Sequence, residues 1–174
     1  MAYRFEGAAQ LGRRSGEHVR GWMFGMRLAH ALPKSLGDLS LWYDHLSGDA
    51  AAADGTVRTF STLFATNHKF YGFADLFLNI PRDTAGRGLR DFVLKWKVAG
   101  PAGSSIGVDL HAFRLAEARD LATARLAEEL DVTLAYGVNS SMRLTAGFSQ
   151  VWGRVGLTEI GRDTGRAFPG RWLG

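Results

Sequence analysis

At 174 residues the chain has room for one domain and not for two comfortable ones. Its 21 Lys and Arg exceed 17 Asp and Glu, for a formal charge of +4 and a pI of about 9.8. The basic residues are interleaved with acids from Arg4 to Arg171, so no concentrated stripe follows a phosphate backbone and no nucleic-acid partner is expected. The absence of cysteine excludes disulfides, thiolate metal sites and cysteine nucleophiles, and no apolar run approaches the roughly 18 residues of a membrane-spanning helix.

Polar and apolar residues alternate almost from the start, which is the period of a strand with two unlike faces. In Tyr3 to Gly12, Tyr3, Phe5, Ala9 and Leu11 oppose Arg4, Glu6 and Gln10. In Val19 to Leu32, Trp22, Phe24, Met26, Leu28 and Leu32 oppose Gly21, Gly25, Arg27 and Ala29, and in Leu39 to Asp44, Leu39, Leu41 and Tyr43 oppose Ser40, Trp42 and Asp44. A long insertion, 48–87, interrupts the series. Alternation resumes in Leu89 to Val98, where Phe92, Leu94, Trp96 and Val98 oppose Asp91, Lys95 and Lys97, and in Ser105 to Phe113, where Ile106, Val108 and Leu110 oppose Gly107, Asp109 and His111. The segments Glu128 to Tyr136 and Met142 to Phe148 complete seven predicted strands. After the strand ending at Phe113, Leu115 to Leu130 is rich in helix formers, with leucines at 115, 121, 126 and 130, and predicts a short helix within a loop.

The connections Pro33 to Asp38, Gly100 to Ser104 and Val138 to Ser141 are tight and rich in Gly, Pro, Asn and Ser, as hairpin turns require. They alternate with Arg13 to His18, which is also short, with the very long 48–87 segment and with the intermediate Leu115 to Ala127. Short turns at one end and long loops at the other are the habit of outer-membrane barrels. The chain opens at Met1 on strand-like residues, with no basic, apolar or cleavage region of an export signal, so the reading is of a mature segment or a fragment.

Alternation alone also fits a soluble barrel that binds a small ligand, in which Phe92, Leu94 and Trp96 point inward. In the membrane reading these residues, with Trp22, Phe24, Tyr43 and Tyr136, meet lipid instead, and the face that mixes small and charged residues lines a lumen. A third reading is a truncated, non-functional remnant.

The 48–87 insertion and its borders carry a recurrent order of residues: Asp44, Ser47-Gly48-Asp49, Asp54-Gly55, Thr59-Phe60, Leu63-Phe64, Thr66-Asn67-His68 and Tyr71-Gly72-Phe73-Ala74-Asp75. Downstream stand Asp109 to Phe113, then Ala116, Ala118-Arg119-Asp120, and Glu129 to Thr133. This pattern resembles the alginate export family of outer-membrane β-barrels over roughly Arg4 to Phe148. The resemblance implies an all-β fold, an antiparallel up-and-down transmembrane barrel, with 1–174 as one partial domain of about seven or eight strands and 48–87 as its long extracellular loop. After Trp152 the sequence shows no final alternating strand ending in an aromatic residue. The function so implied is passive passage of an anionic polysaccharide or other small anionic solute, with outer-membrane lipid as the surrounding partner.

Pore-lining candidates under that reading are Arg4, Arg27, Lys95, Lys97 and Arg143, whose fixed charges would lower the barrier for carboxylates. The competing expectation is that these cations pair with Glu6, Asp44, Asp91, Asp109, Glu129 and Asp131 and neutralise the lumen. Asp49 and Asp54 lack the residue order of a calcium loop, and His68 and His111 have no hydrolase or zinc context. No catalytic residue, metal ligand or cofactor is expected. The aromatics Phe60, Phe64, Phe70, Tyr71, Phe73 and Phe77 are expected to pack the loop into a cap.

Overall fold

The computed structural model describes residues 1–33, 36–51, 53–63 and 67–162, and the backbone of 170–173. Phe64 and Thr66 of the loop pattern lie outside the described residues. The alternating segments become strands: β1 (Ala2–Arg14), β2 (Glu17–Ala31), β3 (Asp38–Leu46), β4 (Thr56–Val57), β5 (Leu89–Ala99), β6 (Ser105–Arg114), β7 (Arg125–Gly137), β8 (Arg143–Gly153) and β9 (Gly170–Leu173). Each of the seven predicted segments coincides with a strand to within a few residues. Eight of the strands form an antiparallel meander in the order β1-β2-β3-β5-β6-β7-β8-β9, and the short β4 pairs in parallel with the start of β2.

The meander places the connections that follow β2, β5 and β7 at one end and those that follow β1, β3, β6 and β8 at the other. Among the described residues β1 and β9 pair only with β2 and β8, so the sheet is open and its ends do not close into a barrel.

Two expectations are corrected. The predicted helix at Leu115 to Leu130 is a closed connection, with the Leu115 N–H bonded to the Ala124 carbonyl at 2.8 Å, followed by β7 from Arg125. Strand pairing on both sides, to β6 and β8, satisfies this backbone. Helix propensities of a few tenths of a kcal/mol per residue are too small to compete. After a single helical turn, α1 (Val155–Glu159), a four-residue strand that the alternation does not predict, β9, pairs with Ala146 to Ser149; it ends in Leu173 and not in an aromatic residue.

The apolar core sits at the loop end. Leu46, Leu89, Phe113, Leu115 and Leu126 meet Phe77 and Ile80 of the long loop and Leu157 of α1, all of them at most 2% exposed. The Phe77 and Phe113 rings lie 4.9 Å apart, tilted by 59°. Below this cap the two faces of the sheet diverge. In register across one face run Leu28, Leu41, Leu94, Leu110 and Leu130, beside Met26, Tyr43 and Phe92. Across the other run Arg27, Trp42, Val93, His111 and Glu129, beside Ser40, Lys95, Asp109, Asp131 and Ser149.

Candidate functional site

The described residues of the segment 47–88 bend over the polar face of the sheet. Gln10 brackets the backbone of Ser61, its Nε2 donating to the carbonyl at 2.7 Å and its Oε1 accepting the N–H at 2.8 Å. The Ser47 hydroxyl accepts the Trp22 N–H at 2.9 Å and donates to the Arg58 carbonyl at 2.7 Å. Asn67 then ties Thr62 to Leu78 through its Nδ2. At the deepest point the Ala74 N–H donates to Glu129 Oε1 at 2.8 Å and the Phe73 N–H to Asp131 Oδ2 at 3.2 Å. Gly72 makes this approach possible: its φ is +82°, and a Cβ there would stand 2.5 Å from both Glu129 carboxylate oxygens.

Most residues of the loop pattern act as fasteners. Asp44 takes a bidentate pair from Arg27, at 2.7 and 2.8 Å. Arg58 spans Asp54 at 2.7 Å and Asp49 at 3.4 Å, with Gly55 in the turn between Asp54 and Thr56 at φ +75°. The Thr59 hydroxyl donates to the Gly86 carbonyl, Phe60 packs on the apolar core, and His68 bonds Asp75. Tyr71 is buried, and burial pushes its phenol well above the usual range, so it stays neutral. Thr66 is outside the described residues. The expectation of a cap built by aromatics holds for Phe60, Tyr71 and Phe77; hydrogen bonds do much of the remaining work.

The five candidate cations share the polar face but not one role. Arg4 pairs with Glu6 at 2.7 Å in an exposed contact, Arg27 with Asp44, and Lys95 with Asp109. The indole of Trp42 lies between two of them, 4.4 Å from the Arg27 guanidinium and 4.5 Å from the Lys95 ammonium. Trp42 was not among the candidates, although its place opposite Leu41 in the alternation puts it on this face. Among the described residues Lys97 has no acidic partner and Arg143 reaches only the Ser105 hydroxyl, at 3.3 Å.

The other acids serve a different network. His111 Nδ1 lies 2.8 Å from Asp91 Oδ2 and His111 Nε2 3.9 Å from Asp131 Oδ2, while the Ser149 hydroxyl donates to Asp131 Oδ1. Asp91, Glu129 and Asp131 are at most 2% exposed, and Asp91 Oδ1 and Glu129 Oε2 accept no hydrogen bond among the described residues. These three carboxyl groups hold His111 and the loop amides and do not neutralise the candidate cations. Single-sequence alternation shows that they share a face; it does not show that a segment some 55 residues away supplies their donors.

Compared with models of known families, with curated proteins and with solved structures, the chain matches none.

Two surface ion pairs at the loop end give a pH prediction. Hydrogen bonds from Arg58 and Arg87 hold the carboxyl groups of Asp54 and Asp120 below the usual carboxylate range. A pKa depressed by folding means that the contribution is complete above the unfolded value and lost as pH falls through the folded one. Amide protection factors between Asp54 and Arg58, taken relative to intrinsic exchange at each pH, are expected to fall below about pH 3.8, with those in the middle of β5 unchanged. The effect is small because both carboxyl groups face water. Equal protection of the 54–58 amides at pH ~2.5 and pH 6 would count against it.

Proposed function

We propose that the chain is a segment of an outer-membrane β-barrel that forms a passive channel for an anionic polysaccharide or other small anionic solute. One observation carries this reading: exposure is inverted relative to a protein dissolved in water. Leu94, Leu110, Leu134, Tyr136 and Leu144 are 42–56% exposed on one face, whereas Asp44, Asp91, Glu129 and Asp131 are at most 5% exposed on the other. A contiguous apolar surface on this scale is rare on soluble monomers and is what lipid requires.

Aromatics border the apolar band at both ends, with Trp22, Tyr43 and Trp152 toward the loops and Trp96 and Tyr136 toward the turns. The Trp96 indole donates to the Leu36 carbonyl at 2.7 Å, the use of a polar handle expected at a membrane interface. The rival in which Phe92 and Leu94 face an interior ligand is disfavoured, because both stand on the face opposite the folded-in loop and are 44% and 42% exposed. The loop pattern's resemblance to the alginate export family points the same way. In this reading the polar face is the lumen, the loop narrows it, and fixed cations favour anions with no chemical reaction involved.

The test is to purify the full chain in detergent and in plain buffer, and to record circular dichroism and planar-bilayer conductance. A β-rich spectrum that needs detergent, with discrete conductance steps reduced by an anionic uronate oligomer, is the expected result. A monodisperse β-rich protein in plain buffer overturns the proposal.

A further inference from the structure

We infer that the cavity at the short-turn end of the polar face is a recognition site for a small hydroxylated monoanion, with Lys97 and Arg143 as its anion-binding groups. The inference deepens the channel reading and rests on it for its physiological sense, but the binding itself needs no membrane potential or flux.

The cavity measures about 640 Å³, enough for a sugar-sized solute and some water. Phe73 of the long loop borders it, and the Phe73 N–H is fixed on Asp131. What sets this cavity apart is the residue opposite each cation. Lys95 stands in register with Asp109 and is neutralised by it. Two pairs further down the same two strands, Lys97 stands opposite Gly107, and on β7–β8 Arg143 stands opposite Gly137. Glycine supplies neither a counter-charge nor a side chain to fill the space, so both cations border an opening.

Asp38 is the carboxylate opposite Lys97 on the β3 side, and no ion pair joins them among the described residues. Lys95, Lys97 and Arg143 set against Asp38 and Asp109 leave one positive charge. That balance suits a single negative charge better than a dense polyanion. The remaining polar wall is hydroxyl: Ser40, Ser105, Thr133 and Thr145 both donate and accept, and so match the hydroxyls of a polyol. Charge selects the anion, and the hydroxyl wall selects among anions.

Titration calorimetry on the full chain in detergent tests this with three probes: gluconate, sorbitol as its uncharged counterpart, and acetate as a carboxylate without hydroxyls. Gluconate is expected to bind at least about tenfold tighter than either control. Lys97→Gln and Arg143→Gln should each weaken it about five- to tenfold, the size of one charge-assisted hydrogen bond partly screened by water. Gly107→Asp should weaken it similarly by giving Lys97 a partner, and the site has room, since an added Cβ there meets nothing closer than Thr133 at 3.8 Å. Lys69→Gln, an exposed loop cation outside the cavity, should bind as wild type does. Each variant's circular dichroism spectrum checks its fold.

Gluconate binding no tighter than acetate or sorbitol overturns the inference, as does unchanged gluconate affinity in folded Lys97→Gln and Arg143→Gln. Conductance without gluconate selectivity removes the site and leaves the channel. Gluconate binding that depends on Lys97 and Arg143 without any conductance upholds the site and removes the channel.

Discussion

Gly72→Val is expected to unseat the long loop from the polar face and to cost about 2–5 kcal/mol. Two terms contribute: a left-handed backbone disfavours a side chain by about 1–2 kcal/mol, and forcing atoms into a filled space costs about 1–3 kcal/mol. They can be separated within this chain. Gly55 has a similar φ of +75°, but an added Cβ there meets nothing within 4 Å, whereas at Gly72 it meets Glu129. Gly55→Val therefore carries the backbone term alone, and the difference between the two variants reports the contact with Glu129. Denaturation in detergent gives that difference, and amide exchange at Phe73 and Ala74 shows where it acts. If Gly72→Val is no worse than Gly55→Val, the close seating of the loop on β7 is wrong. Under the channel reading the same variant also raises single-channel conductance, since the obstructing segment is released.

The strands were legible because a two-faced sheet imposes a period of two on the residues themselves. Phe92, Leu94 and Trp96 against Asp91, Lys95 and Lys97 is a local signal, readable without knowing any neighbour. The alternation of short and long connections was legible for the same reason. The 115–130 segment failed because its Leu, Ala, Glu and Arg residues are strong helix formers, yet Leu115 and Leu126 serve the core at the loop end while the backbone from Arg125 is claimed by two strands. Tertiary pairing overrode a weak propensity.

The candidate site was legible only in part. All five predicted cations do lie on one face, because face is set by parity along a strand. Which of them are neutralised depends on register, which no single strand encodes. Lys95 and Lys97 are two residues apart and indistinguishable in sequence, but one faces Asp109 and the other Gly107. The inward path of the loop was hidden for a related reason. Its anchors are the backbone amides of Phe73 and Ala74, which carry no residue-type signal, acting on carboxylates far along the chain. Gly72 was the one sequence clue, as the residue that lets that backbone come close.

Asp44→Ala should strongly destabilise the sheet itself, because it strands Arg27. That guanidinium is only 21% exposed, makes both of its carboxylate bonds to Asp44 and lies against Trp42. Removing one member of a buried pair costs about 3–5 kcal/mol, with the lower end expected here because water reaches part of Arg27 and the Met26 and Tyr43 carbonyls continue to accept from it. Arg27→Met alone leaves Asp44, 7% exposed on its side chain, without its counter-charge and should destabilise comparably. The double variant Arg27→Met/Asp44→Leu removes both charges together and is expected to lie closer to wild type than either single change, because a buried ion pair and a packed apolar pair are often similar in net stability. A thermodynamic cycle from denaturant midpoints in detergent, repeated at low and high salt, measures the coupling. Independence of the two substitutions, or a coupling abolished by moderate salt, would mean that the pair is a screened surface contact and that Trp42 alone fixes Arg27.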